Sequence, residues 1–280
     1  APVTASPGLS YRTFWTWDHS TNWELNQIGQ QEIGVFNPYG KPPSGFLADY
    51  CGVVGFCAQL RIGSVWFYGC LRDRNGGPAR GQALRDEANE RSVSILPGID
   101  IGSSGGVYWE GKHEFNLATW LRANPQFAAS MEKDVGFQLE DLDFPLNFPQ
   151  SDYTVSACPS APETMAWMSD AVSWLAETFA IGGINIESGD YGVCGCARCK
   201  KRRADREAAA RRRSDTGESW SHADMADKFP RVFDAANARR DDLWLYSALP
   251  SGHLLDPPTP PRTARLPRGR TDHTPPHPPA

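Results

Sequence analysis

Five short apolar segments recur along the chain, and stretches with the length and residue spacing of helices separate them. The segments span residues 11–17, 64–70, 93–97, 183–187 and 243–248. Each is apolar at most of its positions, which is typical of strands covered on both faces in a parallel sheet. Because strands that alternate with helices form parallel β/α units, the sequence predicts an α/β fold.

The intervening stretches carry signals for helix ends. Ser44 can cap a helix before the second strand, and a polar helix follows that strand. Asn116 can cap a short helix that ends before Pro125. The run from Ser160 to Glu163 has the form of a capping box and opens the clearest helix of the chain. A basic helical region follows the fourth strand.

Polar and glycine residues collect directly after the strands. In a β/α barrel, and equally in a doubly wound sheet, active sites lie at the carboxyl ends of the strands. No Gly-x-Gly-x-x-Gly motif follows the first strand, so the nucleotide-binding interpretation lacks its usual sequence support. We therefore expect a (β/α)8 TIM-barrel type of fold.

The chain contains fewer units than a closed barrel needs. About five β/α units precede residue 250, whereas a TIM barrel has eight. We predict an N-terminal extension at 1–10, a partial β/α barrel catalytic domain at 11–256, and a proline-rich disordered tail at 257–280. The interpretation that we favour is an incomplete N-terminal portion of a longer barrel. The alternative is a natural open α/β domain with a disordered tail.

Composition and net charge limit the classes of partner that the protein is expected to bind. Apolar residues make up 40% and charged residues 22%, which is a globular balance. The net charge of −5 makes nucleic acid or an anionic membrane a poor default partner. No apolar run approaches the roughly 20 residues of a membrane-spanning helix. We expect a soluble protein, either cytoplasmic or secreted with its leader removed, and of undetermined oligomeric state.

The first candidate cluster follows strand one. Trp17, Asp18 and His19 bring an aromatic ring, a carboxylate and an imidazole to a strand end. Aromatic faces stack on the C–H faces of sugar rings, and Asp18 is a candidate general acid or base if burial shifts its pKa. The alternative is that Asp18 caps a turn and that the aromatic residues belong to the core.

The second and third clusters follow the next two strands. Arg72 and Asp73 come after strand two, where an arginine fork suits a substrate carboxylate or phosphate, although the two could equally form internal ion pairs. A glycine-rich loop after strand three carries four further candidates: Tyr108, Trp109, Glu110 and His113. The first three suit a subsite wall, and the His113 imidazole titrates in the range needed for proton transfer near neutral pH.

The fourth cluster ends strand four. Strand alternation places Asn185 and Glu187 on the same side, and Asp190 follows in the loop. Two carboxylates so close can divide the acid and base roles of glycoside hydrolysis or bind sugar hydroxyls. The alternative for Glu187 is a salt bridge inside the barrel.

Three cysteines crowd the segment just after this cluster. Cys194, Cys196 and Cys199 could hold a structural Zn²⁺ ion with a fourth ligand, either Cys158 or a histidine. Reduced structural thiols are the alternative. The basic stretch 198–213 is interpreted as a solvated outer helix rather than part of a zinc-ribbon nucleic-acid module, because the rest of the chain is acidic and the stretch has no aromatic residues.

Several runs together resemble a known group of proteins. They are RTFWTWDHSTNW, WFYGCLRDRNGG, ANERSVSILPGI, GGVYWEGKHEFNLATWLRANPQ, ACPSAPE and GGINIESGDYGVCGCARC. In this order, over roughly residues 11–250, they resemble bacterial TIM-barrel proteins related to glycoside hydrolases. Among known enzymes the chain is most similar to the exo-sialidases of glycoside hydrolase family 156.

The resemblance implies a reaction and its residues. An exo-sialidase of that family implies inverting hydrolysis with an aspartate after strand one and a histidine after strand three, here Asp18 and His113. Arg72 is the best candidate for binding a substrate carboxylate. A more general β-hexosaminidase-like barrel would instead place its acid at Glu187 or Asp190.

The sequence thus predicts a glycoside hydrolase that acts on the non-reducing end of a glycan and requires no cofactor. A structural zinc ion and reduced structural thiols stay open as alternatives for the cysteines. The alternatives are a carbohydrate-binding protein without catalysis and a metal-dependent hydrolase or deacetylase on the same fold.

Overall fold

The computed structural model describes residues 11–17, 43–100, 102, 105–130, 156–187, 194–210 and 225–247. The predicted extension 1–10 and tail 257–280 lie outside these ranges. Five strands form one parallel sheet: β1 (Thr13–Trp17), β2 (Ser64–Tyr68), β3 (Ser94–Asp100), β4 (Gly183–Glu187) and β5 (Trp244–Ser247). The prediction of parallel β/α units is confirmed.

The order of the strands distinguishes the two fold types that the sequence left open. The strands lie side by side in chain order, β1-β2-β3-β4-β5, without a reversal. A doubly wound sheet has a switch point at which the order reverses, whereas a β/α barrel has none. The described sheet therefore has the arrangement of five consecutive barrel strands.

The helices occupy the segments between the strands. They are α1 (Pro43–Gln59), α2 (Gly77–Glu90), α3 (Leu117–Ala123), α4 (Pro162–Thr178), α5 (Ala197–Ala210) and α6 (Met225–Arg239). Asn116 caps α3 as predicted, because its side chain accepts a hydrogen bond from the Thr119 N–H at 2.9 Å. No helix in the described ranges has both the length and the apolar character that crossing a membrane requires.

The side chains of the strands alternate between the two faces of the sheet. Alternate strand residues, such as Phe67, Ile99 and Ile186, pack with Tyr50 and Val172 of the helices in the main hydrophobic core. The residues between them point the other way and form what we call the inner face. Its members are Trp15, Trp66, Tyr68, Leu96, Gly98, Asp100 and Asn185.

Three sequence predictions about element ends are wrong. Helix α1 begins at Pro43, so Ser44 lies within its first turn and is not its cap. Strand β3 continues beyond Pro97 to Asp100, so the strand tolerates the missing proline N–H. Helix α4 is capped by Ala161 rather than by a capping box, because Pro162 occupies its first turn. The Ser160 hydroxyl instead accepts a hydrogen bond from the Cys199 thiol, with Sγ and Oγ 3.0 Å apart.

Candidate functional site

The base of the candidate site lies at the carboxyl ends of β2, β3 and β4 on the inner face. Asn185 is fully buried, and its Nδ2 donates to the Tyr68 hydroxyl at 2.7 Å. Gly98 lies between them in register, and a Cβ at Gly98 would come within 2.5 Å of the Tyr68 ring. Glycine is therefore required where the tyrosine ring crosses the neighbouring strand.

Trp109 extends this base from the loop after β3. Its ring meets Tyr68 edge-on with 5.8 Å between centroids, and its Nε1 donates to the Gly98 carbonyl at 2.9 Å. The ring contact and the hydrogen bond together orient the indole, since a buried Trp N–H normally finds an acceptor. Trp109 and Asn185, two of the predicted site residues, are thus joined by a continuous chain of contacts through Tyr68.

Arg72, Trp109 and Glu110 form the first arm of the site. Its guanidinium lies 5.4 Å from the indole centroid, and Nη1 pairs with the Glu110 carboxylate at 3.2 Å. Arg72 is 1% exposed, so its charge is compensated inside the protein. A substrate carboxylate would have to compete with Glu110 for this guanidinium.

Asp73 and Tyr108 form a second arm that points away from the inner face. The Tyr108 hydroxyl donates to Asp73 Oδ1 at 2.5 Å, and the Lys112 N–H donates to Oδ2 at 3.0 Å. Burial raises the pKa of Tyr108 most strongly. The hydrogen bond to Asp73 and the negative charges of Asp73 and Glu110 raise it further. Gly111 has a φ of 134°, and a Cβ there would overlap the Asp73 carboxylate.

His113 belongs to this second arm. Its ring stacks on Tyr108 at 4.5 Å and lies 4.7 Å from the ring of Trp174 on α4. Its Nδ1 accepts a hydrogen bond from the Phe115 N–H at 3.1 Å. Burial lowers the pKa of His113, although the nearby carboxylates of Glu114 and Asp73 oppose this shift. The imidazole thus lies against the helix layer, where burial favours its neutral form.

The remaining predicted residues are only partly within the described ranges. Trp17 and Glu187 are the last residues of β1 and β4, so their backbones end at the same edge of the sheet. Asp18, His19 and Asp190 lie outside the described residues.

The sequence analysis missed two buried charged residues at this edge. Asp100, 4% exposed, ends β3 in register with Glu187 on β4. Neighbouring strands lie about 4.8 Å apart, so two carboxylate residues occupy adjacent strand ends. Lys228 on α6 is also 4% exposed. Its Nζ lies beside Gly102, just after β3, at 3.6 Å from where a Cβ would stand if that residue had a side chain. The alternation Ile95-x-Pro97-x-Ile99 was the signal that could have extended the strand to Asp100.

The cysteines form a separate cluster. The sulfur atoms of Cys158, Cys194, Cys196 and Cys199 all lie within 4.8 Å of one another. Burial opposes ionisation of Cys196, but hydrogen bonds from the Cys199 N–H and from the other thiols outweigh it and lower its pKa to about 6. The pKa of each of the other three thiols is raised, so Cys196 is the thiol of the cluster that ionises most readily.

Comparison with known proteins shows only structural likeness. No known family profile and no curated protein matches the chain. An alpha-amylase from Geobacillus thermoleovorans, solved with acarbose, matches with a TM-score of 0.50 at 10% identity, covering 86% of this chain and 47% of that chain. A glycoside hydrolase family 20 beta-N-acetylglucosaminidase matches with a TM-score of 0.48 at 11% identity, covering 85% and 43%. An alpha-L-fucosidase from Paenibacillus thiaminolyticus gives 0.44 at 14% identity, covering 86% and 32%.

The chain thus spans half or less of the length of these solved structures. At such identities the likeness to the alpha-amylase concerns the fold alone. Together with the consecutive parallel strand order, it identifies the described part of this chain as a partial β/α barrel.

Proposed function

We propose that this protein is a glycoside hydrolase that cleaves the terminal sugar from the non-reducing end of a glycan at the carboxyl ends of β1, β3 and β4. The observation that carries the proposal is the buried carboxylate of Asp100, which ends β3 on the inner face and stands in register with Glu187. Active sites of β/α barrels lie at this edge.

Glycoside hydrolysis needs two carboxyl groups. One donates a proton to the leaving oxygen, and the other activates water or attacks the sugar directly. We assign this pair to Asp100 and Glu187, because neighbouring strand ends offer a separation on the scale that the reaction uses. Asp18 and Asp190, which follow β1 and β4 in the sequence, would bind hydroxyls or share the acid role.

The aromatic residues supply the sugar platform. Trp15 on the inner face is 53% exposed and offers an accessible ring for stacking. Tyr68 and Trp109 are buried and would form the base of the site, with Asn185 held by Tyr68 to orient a hydroxyl. Trp17, at the end of β1, would extend the platform toward Asp18 and His19.

Arg72 and His113 would act as positioning residues. Arg72 holds Trp109 and Glu110, and His113 is engaged by Tyr108, Trp174 and the Phe115 N–H. The family 156 resemblance implies two more specific roles. His113 would transfer a proton, and Arg72 would bind the carboxylate of a sialic acid. Assays with a sialoside substrate test both roles.

The test is hydrolysis of a panel of aryl glycosides by the 280-residue chain and by any longer form that contains it. The panel includes β-N-acetylglucosaminide, α-glucoside, α-fucoside and α-sialoside. Asp100→Asn and Glu187→Gln are compared with Asp234→Asn, an exposed carboxylate on α6 that serves as the control. Saturation-transfer NMR with the same sugars measures binding independently.

The expected result is hydrolysis of at least one aryl glycoside, a loss of roughly 100-fold or more in kcat for Asp100→Asn and Glu187→Gln, and sugar binding within a few-fold of the parent. Unchanged kcat in both variants would refute the assignment. Sugar binding without hydrolysis of any substrate would establish the carbohydrate-binding alternative in its place. Trp15→Ala should weaken binding by roughly 10-fold, as expected for loss of a stacked ring.

A further inference from the structure

We propose that Cys158, Cys194, Cys196 and Cys199 bind one structural Zn²⁺ ion that joins the loop after β3 to the loop after β4. The four residues come from two separate parts of the chain, and their sulfur atoms meet within 4.8 Å. This site is distinct from the carboxylate site and independent of the proposed hydrolysis.

The spacing of the sulfur atoms suits a single tetrahedral ion. A zinc–sulfur bond of 2.3 Å places thiolates about 3.8 Å apart along a tetrahedral edge. In the structure, the Cys158 sulfur lies 3.7 Å from that of Cys196 and 3.5 Å from that of Cys199. A disulfide would need a separation of about 2.05 Å, and all four cysteines are free. An iron–sulfur cluster would hold its thiolates around a larger inorganic core, so their sulfurs would lie farther apart.

The surroundings of the cluster supply hydrogen-bond partners to the cysteine residues. The Ser130 N–H points at the Cys194 sulfur at 3.4 Å, and the Cys199 thiol contacts the Ser160 hydroxyl. Arg203, which is 8% exposed, donates to the Cys194 carbonyl at 3.1 Å. Four thiolates and one Zn²⁺ carry a net charge of −2, so a buried guanidinium nearby offsets part of it. Such outer contacts normally accompany metal ligands.

The cluster also sits at a junction of backbone bonds. The Cys158 N–H donates to the Phe127 carbonyl at 2.7 Å, and the Gly195 N–H donates to the Ser130 carbonyl at 2.6 Å. The Ala157 N–H donates to the Gly102 carbonyl at 2.8 Å, directly after β3. Loss of the ion would therefore loosen the connections that follow Asp100 and Glu187.

Four protein ligands around one ion leave no open position for water or substrate. Closed tetrathiolate sites are structural, whereas catalytic zinc keeps an exchangeable position. Soft thiolates in this geometry select zinc over magnesium, calcium or manganese. The metal is thus assigned to folding of the strand-end loops and not to the chemistry.

The experiment measures metal content of the purified 280-residue chain, expressed with added zinc and kept reduced. Elemental analysis should find about one zinc per chain in the parent and in Cys51→Ser, a half-buried cysteine on α1 that serves as the control. Cys196→Ser and Cys199→Ser should each lose most of the zinc. Titration of the metal-free parent with Co²⁺ should give the visible absorption of a tetrahedral tetrathiolate complex, saturating at a single equivalent.

The Co²⁺ titration uses the parent protein and so remains decisive if a variant fails to fold. Substoichiometric zinc together with no cobalt spectrum would overturn the proposal. Iron in place of zinc, or full zinc retention in both serine variants, would overturn it as well. A chelator should lower the Tm of the parent and leave that of Cys199→Ser unchanged.

Discussion

Gly98→Ala tests the packing that builds the base of the candidate site. The added Cβ would lie 2.5, 2.6 and 2.8 Å from three atoms of the Tyr68 ring, whereas carbon atoms in contact are normally about 3.5–4.0 Å apart. The ring must therefore move by roughly 1 Å. Overpacking of this kind costs about 1–3 kcal/mol. Movement of the ring also strains the hydrogen bond to the buried Asn185 amide, which costs about 1–3 kcal/mol if it is lost.

The expected net loss is about 3 kcal/mol, since replacing glycine within a strand recovers up to about 1 kcal/mol of conformational entropy. The measurement is the free energy of unfolding from guanidinium denaturation followed by tryptophan fluorescence. The control is Gly52→Ala on α1, where a Cβ meets nothing within 4 Å. That variant should be neutral or more stable by about 0.5–1 kcal/mol.

A double-mutant cycle with Tyr68→Ala isolates the cause. If the ring is what Gly98 accommodates, Gly98→Ala should cost less in the Tyr68→Ala background than in the parent by at least about 1 kcal/mol. Equal costs in the two backgrounds would show that the overlap with the ring does not determine the requirement for glycine.

Three further substitutions test the contacts around Trp109 and around Tyr108, which are the two arms of the site. Glu110→Ala should lower the free energy of unfolding by about 3 kcal/mol, because it removes a carboxylate that compensates the buried Arg72; a loss under about 0.5 kcal/mol would contradict this. Asn116→Ala should cost about 2 kcal/mol by removing both the α3 cap and the donor to the Tyr108 carbonyl, read from the same denaturation curves. Folding lowers the pKa of His113, so near that pKa the unfolded chain binds more protons than the folded one. The contribution of His113 to the free energy of unfolding is therefore present above its ordinary pKa of 6.5 and is lost as the pH falls below that value. His113→Gln should flatten that dependence in Tm measured from pH 8 to 5, and an unaltered slope would assign it to other groups.

The architecture was predictable because its signals are local. Alternating apolar and helical stretches indicated parallel β/α units, and the five strands formed at the predicted places. Helix ends were less certain. Asn116 caps α3 through a contact three residues away, whereas the Ser160 hydroxyl is engaged by Cys199, a partner 39 residues distant that no local pattern reveals.

The candidate site was predicted in part for the same reason. Arg72 and Trp109 follow their strands and Asn185 lies near the end of β4, and they converge because parallel strands share one carboxyl edge. Asp100 was missed because Pro97 and Gly98 suggest that the strand ends before it, while pairing with β2 continues through both. The fourth cysteine was left open between Cys158 and a histidine, since the fold alone brings residue 158 to the other three.

Tyr108 and Trp109 are adjacent in the chain yet serve opposite sides of the sheet. Tyr108 packs in the main core with His113 and Trp174, while Trp109 rests on Gly98 and Tyr68. A single peptide unit thus links the indole to the rings of His113 and Trp174 in the helix layer. Under the proposed function, selection for altered sugar preference should consequently recover substitutions at Trp174, on the outer layer, as well as at the inner face.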